Sequence, residues 1–162
     1  MTQQHVEAVV RRTITVAASQ QRAFEVFTAQ FGTWWPRDYQ IGASPMKDFV
    51  LEPKVGGRWY ELDEDGTQCD TGRVLAYEPP ERVVIAWQLN ERWQYDPDPS
   101  HASEVEIRFI AEGPSQTRVE LEHRGFDRHG AGADGVRAGI DAPTGWTHVL
   151  ELFAKHAAAT SS

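Results

Sequence analysis

Between Gly56 and Phe126, strand-like segments follow one another with turn signals between them, and no amphipathic helix interrupts the series. No other feature constrains the fold as much. GGRWYELDEDG reads as a strand after a diglycine, closed by an acidic turn at 63–66. TGRVLAYEPPERVVIAWQL holds two strands joined at 78–81, where tandem prolines cannot continue a ladder. After the loop YDPDPSHAS come EVEIRFIAEG and QTRVELEHRGF, a hairpin pair joined at 112–115. Short connections of this kind imply an antiparallel sheet, not parallel strands with helical crossovers.

Helical signals flank the series. A first strand is expected over Val6–Val16, and Phe49–Leu51 reads as a short one ended by Pro53. AASQQRAFEVFTAQF starts at the capping candidate Ser19 and places Ala23, Phe24, Phe27 and Phe31 on one stripe, with Gly32 as the expected stop. TGWTHVLELFAKHAAA repeats the pattern through Trp146, Val149, Leu150 and Phe153. HGAGADGVRAGIDA, residues 129–142, is Gly- and Ala-rich and reads as mobile or as a loose helix. The expected class is α+β, one domain over 1–162, with the long terminal helix against a curved sheet.

Composition excludes several function classes. The chain has 162 residues and a formal net charge of −8, an acidic balance that argues against a phosphate-tracking surface. No apolar run approaches the roughly 20 residues of a membrane span. The single cysteine, Cys69, allows no intrachain disulfide, and the start of the chain lacks the layout of a secretory signal. A reduced, cytoplasmic protein is expected. The six histidines show no metal-ligand spacing, and the carboxylates of DEDG read as solvated on a turn, so no metal and no cofactor are expected. Gly56-Gly57 lacks the remainder of a phosphate loop and reads as a bulge or close backbone approach.

Strand alternation sorts the faces. Val105, Ile107 and Phe109 share one side, as do Val119, Leu121 and His123, and Val83, Ile85, Trp87 and Leu89. Trp59 shares a face with Glu61, opposite Arg58, Tyr60 and Leu62, and the pattern leaves open which side is inside. His123 reads either as a core histidine satisfied by hydrogen bonds, as a polar anchor at a pocket mouth, or as a catalytic base. Trp59, Trp87 and Trp146 read either as ordinary core or as the lining of an aromatic cavity.

AFEVFT with a following WWP, EPKVGGRWYE, DG with TGRV, YEPPERVVIAWQ, the EVEIRF and TRVELEHRGF pair, and GW heading the last helix occur in an order that resembles the SRPBCC superfamily (START/Bet v 1-like). The resemblance is to its branch of bacterial homologues of the heat-shock-protein-90 ATPase activator and covers roughly residues 12 to 156. It implies a helix-grip fold, a curved antiparallel sheet wrapped around the C-terminal helix with a cavity between them. It implies Trp35, Trp59, Trp87, His123 and Trp146 as cavity linings, and Phe153 joins these ligand-binding candidates from the terminal helix. The family shares no catalytic set, and its 93–102 loop varies.

Three readings of function follow. The first is a carrier or sensor of a hydrophobic or aromatic small molecule. The second is a cyclase- or hydrolase-type enzyme using His123, with Glu61 or Arg73 assisting. The third, from the family name, is a chaperone-cofactor-like partner module. A homodimer is left open. In the stretch FGTWWPRDYQ, Pro36 disfavours helix at Trp35, so Trp35 is expected to face the cavity and Trp34 to pack on the first helix.

Overall fold

The computed structural model describes residues 9–36 and 44–159. Residues 6–8 of the expected first strand and the RDYQ part of the tryptophan stretch lie outside them. β1 (Val10–Val16), β2 (Met46–Leu51), β3 (Arg58–Asp63), β4 (Gln68–Glu78), β5 (Arg82–Trp87), β6 (Ser103–Gly113) and β7 (Gln116–Arg124) form one seven-stranded antiparallel sheet. The strand order is β1-β7-β6-β5-β4-β3-β2. Every neighbour is sequential except β1, which pairs with β7 through Ile14 opposite Val119. Register shifts at 46/48, 59/60, 74/76 and 111/113 bend the strands, and the sheet curls into a half-barrel.

The helices fill the concave side. α1 (Gln20–Thr28) is capped by Ser19, whose Oγ accepts from the Arg22 N–H at 3.1 Å. Its Phe24 and Phe27 pack on Phe109 of β6, with ring centroids 5.1 and 5.8 Å away. α2 (Phe31–Trp34) is a single helical turn, α3 spans Ala133–Asp141 and α4 spans Trp146–Ala159. α4 buries Trp146, Val149, Leu150, Phe153 and Ala157, so the helix-grip arrangement stands. The 129–142 stretch takes the helical form, a 3-10 segment (Phe126–Gly132) leading into α3, because Val136 and Ile140 supply a buried stripe.

Gly32 does not stop the first helix. α1 ends at Thr28, and Gly32 sits inside α2, pressed on β2: a Cβ there would lie 2.5 Å from the Phe49 backbone nitrogen and closer still to the Asp48 carboxylate. The glycine marks a close approach of two elements rather than a helix end.

The convex face is charged. Glu106 accepts from Arg82 Nε at 2.5 Å, Arg124 Nη1 at 2.7 Å and Arg108 Nε at 3.0 Å. Burial alone would raise its pKa, but the three guanidinium bonds outweigh it and hold the carboxyl down at about 2. No helix of the described residues is long and apolar enough to cross a membrane.

Candidate ligand-binding site

Four indoles from four elements close into a ring on the concave side. Trp35 follows α2, Trp59 lies on β3, Trp87 ends β5 and Trp146 starts α4. Successive centroids are 6.4 Å apart for Trp35 and Trp59, 5.6 Å for Trp59 and Trp87, 6.0 Å for Trp87 and Trp146, and 6.1 Å for Trp146 and Trp35. The edge-on and tilted geometries suit the aromatic quadrupole. Trp59 and Glu61 are on the inner face, which settles the orientation that alternation left open. The Nε1–H groups of Trp59 and Trp87 are buried and donate to no acceptor among the described residues. An unsatisfied buried donor of this kind costs about 1–3 kcal/mol.

The two neighbours in the WWP stretch separate. Trp34 donates through Nε1 to the Val26 carbonyl at 2.7 Å and packs against Phe27, so it covers α1 as expected. Trp35 stacks on Phe31 at 5.0 Å and joins the ring. Phe153 belongs with Trp34 rather than with the ring, 5.3 Å from Trp34 and 5.2 Å from Phe27, and cements the helix layer.

His123 stands at the rim of the ring, 5.3 Å from Trp87 and stacked on Phe126 at 4.5 Å. Trp146 Nε1–H donates to its Nδ1 at 3.1 Å. An indole nitrogen can only donate, so Nδ1 carries no proton and the proton sits on Nε2. Nε2–H therefore donates to Ser103 Oγ at 2.8 Å, and the Ser103 hydroxyl donates onward to His129 Nε2, also at 2.8 Å. Burial, followed by the neighbouring His129, holds the His123 pKa well below its ordinary 6.5, so the ring is neutral. Both ring nitrogens are engaged within the protein. The arrangement orients Trp146 and leaves no lone pair for a substrate proton unless one of these bonds opens.

The proposed helpers of His123 divide. Arg73 pairs with Arg58, whose side is opposite that of Trp59, so it lies on the outer face away from His123. Glu61 is fully buried on the inner face. The 93–102 loop covers one edge of the site: Trp93, at φ 60°, lies 6.3 Å from Trp87 and rests on α3, where a Cβ at Gly139 would come within 2.7 Å of its indole.

One reading of the sequence is corrected. Asp63 is not solvated on the turn; it is 1% exposed, the last residue of β3, on the same face as Glu61. Strand β3 takes up the first residue of DEDG, one residue further than the turn signal suggests, which carries the carboxylate indoors. Glu61, Asp63 and Cys69 come together there, their candidate ligand atoms all within 4.8 Å of one another. Burial first, then the Asp63 and Glu61 charges, push the Cys69 thiol pKa up. Nothing in the linear spacing of these residues signalled the cluster, because cross-strand pairing brings Cys69 opposite Glu61.

Comparisons with known proteins agree with this architecture. No curated protein matches the chain in sequence. Among solved structures, the anthrahydroquino-γ-pyrone synthase Txn09, complexed with SUM, is 40% identical, with 92% of this chain and 97% of that one covered and a TM-score of 0.66. CalC from Micromonospora echinospora, a self-sacrificing resistance protein, is 35% identical, with 96% and 97% covered and a TM-score of 0.72. MLL2253 from Mesorhizobium loti, at 19% identity, 96% and 100% coverage and a TM-score of 0.66, shares the fold. Residues 17–158 match the family described as Activator of Hsp90 ATPase homolog 1-like protein. By that match and by its helix-grip sheet, the chain belongs to this family within the SRPBCC-type proteins.

Proposed function

We propose that the protein binds an oxygenated polycyclic aromatic molecule on the concave side of its sheet, against Trp35, Trp59, Trp87 and Trp146, as a carrier or sensor. The observation that carries this reading is the pair of buried indole N–H groups, on Trp59 and Trp87, that no acceptor among the described residues satisfies. A quinone or phenol oxygen supplies the missing acceptor, and a fused ring system offers the flat faces that indoles pack against. The name of Txn09 points to the same ligand class. His123 serves as a support: neutral and bonded on both sides, it fixes the Trp146 ring.

Titration with 1,8-dihydroxyanthraquinone, followed by tryptophan fluorescence and native mass spectrometry, tests the proposal. A saturable one-to-one complex is expected. Trp59→Phe and Trp87→Phe keep the ring but remove the donor, and each is expected to weaken binding about tenfold, the worth of one buried hydrogen bond. Quenching that never saturates, or binding unchanged in both variants, defeats the reading. A second reading, ring closure catalysed in the same place, is supported by the 40% identity to a synthase. Its test is turnover of a polyketide precursor that survives His123→Gln, since the bonded imidazole is not offered as the base.

A further inference from the structure

We propose that Glu61, Asp63 and Cys69 form a binding site for Zn2+ or a divalent ion of similar borderline softness. The site is separate from the indole ring and does not depend on the ligand proposed above. Glu61 and Cys69 are direct cross-strand partners on β3 and β4, and Asp63 lies two residues on from Glu61, so all three side chains share the inner face. Together they make a triangle of two carboxylates and a thiol, with no atom pair used for ligation more than 4.8 Å apart. Around a tetrahedral zinc with bonds of about 2.0–2.3 Å, ligand atoms sit about 3.5 Å apart, so side-chain rotation of roughly 1 Å closes the set.

The independent sign of a missing partner is on Asp63. Its carboxylate is 1% exposed, Oδ1 accepts no hydrogen bond among the described residues, and Oδ2 lies 3.9 Å from Cys69 Sγ. A buried carboxylate oxygen left bare carries a desolvation penalty that a cation removes. A thiol in the set selects against Mg2+ and Ca2+, which want oxygen alone, and favours Zn2+. Met46, the cross-strand partner of Asp63, is buried on the same side and keeps the surroundings apolar. On binding, the Cys69 thiol releases its proton to solvent and the thiolate bonds the metal, leaving a fourth position for water.

Chelator-stripped protein titrated with Co2+ provides the test. One cobalt per chain is expected, with the near-ultraviolet charge-transfer band of a thiolate ligand, and Zn2+ is expected to displace it. Cys69→Ser should lose the band, and Asp63→Asn should bind Zn2+ at least about tenfold more weakly. Circular dichroism establishes that each variant is folded; should Cys69→Ser not fold, Cys69→Ala and the Zn2+-induced rise in the melting temperature of the unaltered protein take its place. His101→Ala, which removes the histidine paired with Asp96 and Asp98 on the surface, should change nothing. Absence of the thiolate band in the unaltered protein overturns the proposal, as does Zn2+ affinity that is undiminished in both Asp63→Asn and the Cys69 variant. Anthraquinone binding is read separately by fluorescence, so failure of either proposal is recognised without the other.

Discussion

On the convex face of the sheet Glu106 is ringed by Arg82, Arg108 and Arg124, with Glu104 and Glu122 extending the network to Arg128 and Arg11. On the concave face, His123, more deeply enclosed, is flanked by Trp146 and Ser103 and carries no charge. Both faces bury a titratable group, and they settle it differently. Where guanidinium groups reach the site, the charged form is kept; where only indole and hydroxyl are available, burial selects the neutral form. The same contrast explains why the concave side holds indole donors with no acceptor among the described residues while the convex side has paired its charges. An apolar layer with few polar atoms has fewer chances to satisfy each one.

Four measurements test this contrast. Trp59→Ala should have the largest effect, because it removes a buried indole that touches Trp35, Phe49 and Trp87; a loss of about 3–5 kcal/mol in urea unfolding is expected. A loss near zero would mean that the ring is not a packed unit. Next, Glu106→Gln should cost about 2–3 kcal/mol at neutral pH, since it leaves three arginines around an uncharged amide.

The Glu106 carboxyl ordinarily titrates near 4.5 and is held at about 2 in the fold, so its stabilisation is whole above about pH 4.5 and is lost as pH falls toward 2. His123 acts in a higher window. The unfolded imidazole takes a proton near 6.5 while the native ring does not, so the unfolded chain binds more protons below that pH. Stability should be full above about pH 6.5 and should fall below it by up to about 1.4 kcal/mol per pH unit, with His129, also lowered by burial, adding slope of the same sign. Unfolding measured from pH 7 to 5.5 reads this slope, and a flat profile contradicts the neutral assignment. The smallest effect belongs to Arg11→Ala, whose pair with Glu122 at 2.9 Å is 72% exposed on the arginine side; a change under about 0.5 kcal/mol is expected.

Much of the sheet was legible because its signals are local. Alternation named the inward residues of β6 and β7 down to His123, and the tandem prolines marked the β4–β5 turn, where Pro79–Pro80 is a cis peptide. The periodic stripe of α4 named Trp146 and Phe153. The grouping of the candidate residues was legible only in part. Trp35, Trp59, Trp87, His123 and Trp146 do gather, but Phe153 turns to the helix layer and Arg73 to the outer face. Gly32 was mistaken for a stop because a helix-ending glycine and a close-packing glycine are the same residue in a sequence.

The period of each element, the antiparallel class and the residues with an apolar side are written in the linear order of residues, because each depends on neighbours within a few positions. Which indoles meet, which histidine nitrogen holds the proton, and the burial of Asp63 beside Glu61 and Cys69 emerge when the folded elements come together. Those outcomes depend on strand register and on burial by distant elements. A one-residue change of register would have sent the same side chains to the opposite face.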